Sequence, residues 1–212
     1  MNLDEFDRCT VYDSEKEHKK HKFNILNKLC KKGQIVLFGD SITEFFDERL
    51  LDGKSKLRIY NRGISGDTSN RLLERLDENV LSIAPAQIIL LIGTNDFGVG
   101  ADSDYVFGNI KETVERIKAA LPGVNLVVQC IYPVNLKIFG CEPTRNKYIA
   151  EVNEWLRGYA KENDLTLLDL TELLSNEDGG FDIKYSDDGL HPSDAGNRAI
   201  AEALSEVLIE KI

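Results

Sequence analysis

The sequence of 212 residues contains no apolar run that approaches the roughly 18 residues a membrane-spanning helix needs. Its N-terminus carries acidic residues where a signal peptide carries basic ones, and no apolar stretch follows. No internal repeat and no low-complexity linker interrupts the chain. These absences predict a cytoplasmic protein without membrane insertion. They also predict a single domain over residues 1–212, of which residues 1–32 are a charged, helical leader.

The motifs of metal and nucleotide sites are also missing. Cys9, Cys30, Cys130 and Cys141 form no C-x-x-C pair and show no zinc-ligand spacing, and reduced thiols in packing or surface positions are expected. The G-x-x-x-x-G-K-[ST] loop for nucleotide phosphates does not occur. Gly98-Val99-Gly100 begins like a dinucleotide-binding loop, but no third glycine follows. The sequence therefore predicts neither a metal site nor a nucleotide site.

Positive charge is scarce, since 26 basic residues face 36 acidic ones and the formal net charge is −10. A field of this sign repels phosphate backbones and anionic lipid surfaces. The one basic cluster, between Lys16 and Lys32, is interleaved with acidic residues and is predicted to be a solvated helix face. Nucleic acid is therefore not an expected partner.

Short runs of aliphatic residues alternate with amphipathic patterns along most of the chain. Glycine, asparagine or aspartate bounds these runs, as is typical of strands buried on both faces of a sheet. The runs are Gln34–Phe38, Leu57–Tyr60, Gln87–Ile92, Asn125–Gln129 and Leu165–Leu168. Helical periodicity lies between them over residues 106–121 and 149–159, and a last helix is predicted to begin near Ser193. This alternation predicts an α/β fold, a three-layer α/β/α sandwich around a five-stranded parallel, flavodoxin-like sheet.

Four polar, glycine-bearing segments follow strands of this predicted sheet. They are Gly39–Thr43, Asn61–Thr68, Gly93–Asp96 and Asp187–Pro192. The carboxyl ends of parallel strands meet at one edge of the sheet, and ligands bind at that edge in such folds. All four segments are therefore predicted to gather where a ligand would bind.

Ser41 is the candidate nucleophile at this edge, but a hydroxyl alone hardly ionises at neutral pH and needs a base. Histidine is the side chain best suited to that task. Of the three histidines, two lie in the charged leader and only His191 belongs to a segment at the predicted edge. Asp188, three residues earlier, is favoured over Asp187 as the carboxylate that orients the imidazole.

An ester or amide hydrolase also needs hydrogen-bond donors for the oxyanion that forms on its substrate. The candidates are the backbone N–H of Ser41, the backbone at Gly66, where the missing Cβ permits close approach, and the side-chain amide of Asn95. Each also has an ordinary structural interpretation, respectively a helix-capping serine, a turn and an Asx-turn. Their joint placement at one edge favours the catalytic interpretation.

The blocks Gly39-Asp40-Ser41, Gly66, Gly93-Thr94-Asn95-Asp96 and Asp188-Gly189-Leu190-His191-Pro192 resemble the SGNH hydrolases, the GDSL-type lipase and esterase superfamily. The resemblance covers residues 34–210, and the compact bacterial acylhydrolases are the members it resembles most. It implies that Ser41, Asp188 and His191 are the catalytic residues and that Ser41, Gly66 and Asn95 form the oxyanion hole. It implies no metal and no organic cofactor. The implied partner is a small-molecule ester, and the sequence leaves open whether the chain forms a homo-oligomer.

The segment Tyr132–Pro143 is longer than the usual connection from a strand to a helix and leaves the sheet at the same edge. Long loops of this kind tend to bind ligands, so Tyr132 and Phe139 are the candidate substrate-binding residues. The alternative is that Ile138 and Phe139 belong to the core. The loop holds few large hydrophobic residues, which favours short acyl groups, from acetyl to butyryl. A lysophospholipase or an acyl-thioesterase acting on longer chains is the alternative.

Two interpretations from other functional classes stay open on the sequence. Acidic residues at the predicted strand ends, Asp40, Asp96, Asp169 and Asp188, are typical ligands of Mg²⁺ in a phosphohydrolase. That interpretation leaves the histidine and the asparagine at the same edge without a role. The second interpretation is a non-catalytic binding module, since a fold alone does not establish activity.

Overall fold

The structure is a computed structural model that describes the backbone of residues 3–210 and the side chains of residues 13–210. The expectation for Cys9 therefore lies outside the described side chains. Cys30, Cys130 and Cys141 are free thiols, as expected. Among the helices of residues 3–210, none is both long and apolar enough to cross a membrane.

Five strands form one sheet in the order β2-β1-β3-β4-β5, and every neighbouring pair is parallel. They are β1 (Ile35–Gly39), β2 (Ile59–Gly63), β3 (Gln87–Leu91), β4 (Asn125–Gln129) and β5 (Thr166–Leu168). The central strands β1 and β3 are buried along their whole length, which explains their unbroken aliphatic sequence. The predicted five-stranded parallel sheet, with its flavodoxin-like order, is confirmed.

Helices cover both faces of this sheet. They are α1 (Leu3–Asn27), α2 (Ser41–Phe45), α3 (Ser69–Glu74), α4 (Leu76–Asn79), α5 (Thr94–Gly98), α6 (Ser103–Ala120), α7 (Leu136–Phe139), α8 (Arg145–Glu162), α9 (Thr171–Leu174) and α10 (Asp194–Val207). Short 3₁₀ turns occupy Glu48–Leu51 and Leu81–Ile83. Ser193 caps α10 with its side chain, as predicted.

The alternation of side chains along each strand divides the core into two layers. Val36 and Phe38 of β1 pack on one face, with the apolar residues of α3, α4, α6 and α8. Ile35 and Leu37 point to the other face, where α10 supplies Ile200. The three-layer α/β/α arrangement is therefore confirmed by the distribution of buried side chains.

The position of β2 differs from the prediction, because the strand begins two residues later and runs through Asn61 and Arg62 to Gly63. These polar residues are tolerated because their side chains have partners. The Asn61 amide donates to the Thr43 carbonyl and its Oδ1 accepts from the N–H of Gly63. The Arg62 guanidinium bonds to Asn27 of α1. Apolar periodicity alone does not detect a strand that is satisfied in this way.

Helix α1 ends at Asn27, earlier than the predicted leader at residue 32, and its basic residues do not all face solvent. It docks on α4 through polar groups. Asn24 accepts a hydrogen bond from the Asn79 amide, and the Asn27 amide donates to the Asn79 carbonyl. Lys16 is buried, which corrects the prediction of a wholly solvated basic face.

Candidate active site

Ser41 begins helix α2 directly after β1, so its side chain lies at the carboxyl edge of the sheet, and it is almost fully buried. Asp40 caps the helix, because its Oδ1 accepts from the N–H of Ile42 at 3.0 Å. Gly39 lets the end of β1 pass close to β3, since a Cβ at this position would lie 2.3 Å from the carbonyl oxygen of Leu91. The glycine, aspartate and serine of the first segment thus act together to place one hydroxyl.

A chain of hydrogen bonds joins Ser41 to His191 and Asp188. The Oγ of Ser41 lies 2.9 Å from Nε2 of His191, and Nδ1 of His191 lies 2.7 Å from Oδ2 of Asp188. The other carboxylate oxygen of Asp188 accepts from the backbone N–H groups of Leu190 and His191. Asp187 is exposed, and no hydrogen bond joins it to His191 within the described chain. Asp188, as predicted from its spacing, is the carboxylate that holds the imidazole.

The hydrogen bonds to Asp188 favour its charged form. Partial burial raises the pKa of this carboxyl, but the bonds from the His191 ring and from two backbone N–H groups outweigh burial. The pKa of Asp188 therefore lies below its ordinary value. A carboxylate that stays ionised can stabilise an imidazolium beside it.

Neighbouring segments hold the loop that carries His191. The Ser186 hydroxyl donates to the His191 carbonyl at 2.8 Å, and the N–H of Asn135 donates to the Gly189 carbonyl at 2.8 Å. Gly189 has φ +82°, and a Cβ there would lie 3.0 Å from Asn135. Glycine is therefore required between the aspartate and the histidine by both backbone conformation and space. The exposed ring of Phe45 covers the His191 ring, with 5.4 Å between their centroids.

The three predicted oxyanion donors converge on the same edge. Gly66 has φ +71°, a conformation that favours glycine. Within the described chain, the backbone N–H groups of Ser41 and Gly66 have no acceptor. The Asn95 amide nitrogen donates one N–H to the carbonyl of Asp67 at 3.0 Å, which fixes the side chain and leaves its second N–H available.

A buried ion pair between Arg75 and Asp67 stabilises the segments at this edge of the sheet. Arg75, only 1% exposed, contacts Asp67 at 2.6 Å and donates to the carbonyls of Arg62 and Gly39. Burial lowers the pKa of Arg75 and raises that of Asp67, while their mutual attraction opposes both shifts. The pair thus links the segments that carry Ser41 and Gly66. No sequence motif signals it.

Asp40 has no such partner. Its Oδ2 is buried and accepts no hydrogen bond in the described chain. Burial raises the pKa of Asp40 to about 7, and the negative charges of Asp67 and Asp96 add to the effect. A buried carboxyl directly before Ser41 therefore holds its proton at mildly acidic pH.

Helix α1 reaches the same edge, which the sequence analysis did not foresee. The Lys16 ammonium donates to the Gly66 carbonyl at 2.6 Å. Lys19 pairs with Glu44 at 2.6 Å, and Glu44 accepts from both the N–H and the hydroxyl of Ser65. Two lysines of α1 thus hold the segment that contains Gly66. Lys16 contacts it directly, and Lys19 acts through Glu44.

A groove of about 720 Å³ begins at Gly66 and Asn95. Its other lining residues come from α5 with the turn that follows it, and from the stretch that runs from the last residue of α7 to the first turn of α8. They include Phe97, Val99, Phe139, Cys141, Arg145 and Tyr148. Phe139, on the short helix α7, lines this groove and also packs against the core, whereas Ile138 is exposed. Tyr132 does not line it. It is buried in the core and donates its hydroxyl to Gln129, so the expectation that Tyr132 contacts substrate is wrong.

Three of the four acidic residues named at the strand ends, all except Asp40, have partners of other kinds. Asp96 accepts from the N–H and the hydroxyl of Ser69, Asp188 binds His191, and Asp169 pairs with Arg157. In the described part of the chain, no three His, Cys, Asp or Glu side chains are grouped so that they could hold a metal ion. The arrangement does not have the donor set that the magnesium interpretation requires.

The fold and the site define an α/β protein with a serine, a histidine and an aspartate joined by hydrogen bonds at the carboxyl edge of a parallel sheet. The sequence profile of the GDSL-like lipase/acylhydrolase family matches residues 37–199. The chain therefore belongs to this family, and the resemblance to SGNH hydrolases is confirmed.

Individual relatives extend the similarity to nearly the whole chain. The chain is 28% identical over 194 residues to platelet-activating factor acetylhydrolase IB subunit alpha2 of Homo sapiens, which covers 90% of this chain and 82% of the relative. A Streptococcus pneumonia structure, provisionally described as a platelet activating factor, is 27% identical with a TM-score of 0.88, covering 99% of this chain and 100% of that one. A GDSL-like lipase of Bacteroides thetaiotaomicron is 25% identical with a TM-score of 0.75, covering 88% and 95%.

Proposed function

We propose that this protein is a serine ester hydrolase that cleaves carboxylic esters of small molecules through an acyl-enzyme intermediate. The observation that supports this most is the pair of contacts from His191, 2.9 Å to the Ser41 hydroxyl and 2.7 Å to the Asp188 carboxylate. Both lie within the range that a general base and its orienting group need. One domain, with α1 as part of it, carries out the reaction.

In the first half of the proposed reaction, Nε2 of His191 takes the Ser41 proton as Oγ attacks the ester carbonyl carbon. The carbonyl oxygen becomes an oxyanion, which accepts hydrogen bonds from the N–H groups of Ser41 and Gly66 and from the Asn95 amide. Asp188 stabilises the imidazolium. Collapse of the intermediate breaks the bond to the alcohol oxygen, which leaves with the proton from His191, and the acyl group stays on Ser41.

The second half repeats these roles with water as nucleophile. His191 takes a proton from water, the hydroxide attacks the acyl carbon, and the same donors hold the oxyanion. The intermediate then expels Ser41, which regains its proton from His191, and the carboxylic acid departs. No step in this sequence calls for a cofactor.

We further propose short acyl groups, acetyl to butyryl, as the preferred substrates. The names of the curated relatives describe acetylhydrolases, and this similarity supports a small acyl group. The alternative is a lysophospholipase or a thioesterase, which would bind a longer acyl chain in the groove. The groove lining supports this alternative with apolar surface from Phe97, Val99 and Phe139.

The proposed activity is tested with p-nitrophenyl acetate and a fluorophosphonate probe on the purified full chain. Ser41→Ala should lower kcat by about 10⁴- to 10⁶-fold and abolish covalent labelling, because loss of the nucleophile removes the acyl-enzyme route. Ser205→Ala is the matched control, since the Ser205 hydroxyl lies on α10 and donates to the Glu202 carbonyl rather than to His191. Retention of a tenth of the wild-type rate in Ser41→Ala would remove Ser41 from this role.

A further inference from the structure

The groove beside the oxyanion donors ends at the first turn of α8, where Thr144, Arg145 and Tyr148 line it. Arg145 is the first residue of that helix and is only 7% exposed. Its Nη2 donates to the carbonyl of Thr94, the residue before Asn95. The guanidinium thus lies within the groove wall, one residue from a proposed oxyanion donor.

Arg145 carries a buried positive charge that no described residue neutralises. Within residues 13–210, no carboxylate lies within ion-pair distance of it, and its buried Nε has no acceptor. Besides Thr94, the guanidinium lies over the Phe139 ring, with Cζ 5.3 Å from the ring centroid, and beside Gly98. A buried charge without a partner is costly, so a counter-charge is expected to bind here.

Two other arginines, Arg62 and Arg75, are well buried and show what a purely structural role looks like in this protein. Arg62 is 4% exposed and has no carboxylate partner among the described residues, but its guanidinium is held by hydrogen bonds to Asn27, the Asn61 carbonyl and Cys30. Arg75 is 1% exposed, pairs with Asp67 at 2.6 Å and donates to two carbonyl oxygens. Its charge is neutralised within the fold. Arg145 differs because its guanidinium lines an open groove and has only one hydrogen bond.

The N-terminus of α8 adds to the positive potential at the same point. This helix has 18 residues, Thr144 provides no side-chain cap, and the first turn holds no acidic residue. The Arg145 N–H donates to the Glu142 carbonyl at 3.1 Å, and no side chain caps the turn, so the positive end of the helix dipole adds to the charge of Arg145. Glu142 and Asp102 also line the groove, but both are exposed and neither forms an ion pair with Arg145. Asp102 instead caps α6.

We infer that Arg145 and the N-terminus of α8 form a subsite for an anionic oxygen group, a carboxylate or a phosphate, carried by the ester substrate. This inference rests on the proposed esterase function. It assigns a substrate class, anionic esters, and predicts that specificity depends on a residue outside the serine, histidine and aspartate set. The guanidinium geometry suits a planar carboxylate or a phosphate.

The test compares matched pairs of charged and neutral esters. The pair 4-acetoxybenzoate and 4-acetoxybenzamide places the charge on the alcohol side, and the pair monophenyl adipate and phenyl hexanoate places it on the acyl side. The readout is the ratio of kcat/KM within each pair, which cancels any general effect on catalysis. Wild-type enzyme should favour the charged member of at least one pair.

Arg145→Gln removes the charge but can still donate to the Thr94 carbonyl, so it separates anion binding from support of the loop. It should lower that ratio by about 10- to 100-fold, as expected for loss of a charge-assisted hydrogen bond, mainly through a higher KM for the charged ester. Arg145→Lys should keep part of the preference. Arg198→Met, at an exposed arginine of α10, is the matched control and should leave the ratio unchanged.

Equal loss of activity on both members of each pair, or a wild-type enzyme with no preference, would overturn the subsite. If no ester is hydrolysed at all, the proposed function fails, and the subsite is then judged by binding alone. In that case inorganic phosphate should raise Tm of the wild type and not of Arg145→Gln. Equal Tm shifts in the wild type and in Arg145→Gln, or no shift in either protein, would overturn the proposed anion subsite.

Discussion

Lys16 of α1 donates a hydrogen bond of 2.6 Å to the carbonyl oxygen of Gly66, the residue whose N–H is a proposed oxyanion donor. The lysine is almost fully buried, and the two residues are fifty positions apart in the chain. Desolvation, together with the charge of Arg71, lowers the pKa of Lys16, while Asp67 and Asp13 oppose the shift. The Gly66 carbonyl and N–H belong to adjacent peptide groups that meet at the Gly66 Cα, so a bond that holds the carbonyl leaves only rotation about the Gly66 φ and ψ to move the N–H. Helix α1 is thus a positioning element of the site.

Lys16→Met should therefore lower kcat for p-nitrophenyl acetate while KM changes little. Complete loss of an oxyanion donor costs about 10²- to 10³-fold, and a donor that is only less well held should cost less, about 10-fold. Lys16→Arg should restore part of the loss. Lys20→Met is the control, since Lys20 pairs with Glu17 at the surface. A higher KM with unchanged kcat would show that Lys16 does not act through the oxyanion hole.

The two neighbouring aspartates before His191 provide a second test. Asp188→Asn should lower kcat by about 10⁴-fold, because the amide can no longer hold the imidazole in the right tautomer or stabilise its charged form. Asp187→Asn should leave kcat unchanged, since this exposed side chain forms no hydrogen bond or ion pair with His191 in the described part of the chain, whereas Asp188 does. In the wild type, kcat/KM should fall as the pH is lowered and the imidazole gains a proton. A greater loss in Asp187→Asn than in Asp188→Asn would contradict the assignment.

Most of this site could be predicted from the sequence because its residues follow strands. Burial on both faces of the sheet requires aliphatic runs, and a parallel sheet brings the ends of those runs together. Ser41 and Asn95 closely follow such runs, and His191 lies in the polar segment between β5 and α10. Their meeting at one edge therefore depends on topology alone, without knowledge of any single contact.

Other features could not be predicted, because they depend on contacts between distant residues. Lys16 lies in a charged run that is typical of a solvated helix, and only its docking against Gly66 distinguishes it. Tyr132 was expected at the substrate, but Gln129 satisfies its hydroxyl inside the core. An aromatic residue with a polar tip is compatible with either location. Arg145 likewise gives no local signal that its charge is unpaired.

Asp40 should make stability depend on pH. Its folded-state pKa, raised by burial to about 7, exceeds the ordinary value, so the folded state keeps a proton that the unfolded chain releases. The free energy of unfolding should therefore fall as the pH rises from about 4 to about 7. Asp40→Asn keeps the acceptor for the Ile42 N–H and removes the charge. It should be more stable than the wild type at pH 8, by about 1 to 3 kcal/mol, and nearly equal to it at pH 4.

Urea denaturation at pH 4, 6 and 8 measures this difference. Asp67 and Asp96 also have a raised pKa, mainly through burial, so Asp40→Asn should reduce the pH dependence without removing it. Asp187→Asn, at an exposed carboxylate, is the control and should follow the wild-type curve. A stability gain in Asp40→Asn that grows as the pH falls would contradict the proton assigned to Asp40.

The length of the preferred acyl group distinguishes the proposed short-chain esterase from the long-chain alternative. A series of p-nitrophenyl esters from acetate to decanoate should show the highest kcat/KM between acetate and butyrate. Each further CH₂ that found apolar surface would gain about 0.8 kcal/mol, or roughly fourfold in kcat/KM, so a long-chain enzyme would show a steady rise instead. Such a rise would favour the lysophospholipase or thioesterase alternative.

Phe139 tests whether the groove sets this preference, because its ring forms part of the groove wall and packs against the Arg145 guanidinium. Phe139→Ala should widen the groove and shift the optimum toward longer acyl chains. Ile138→Ala is the matched control, since Ile138 is the adjacent residue, is 46% exposed and is not part of the groove lining. If the profile of Phe139→Ala stays like that of the wild type while Tm falls, Phe139 serves packing rather than specificity. If both variants shift the optimum equally, the effect comes from disturbing α7, and the groove wall does not select the acyl chain.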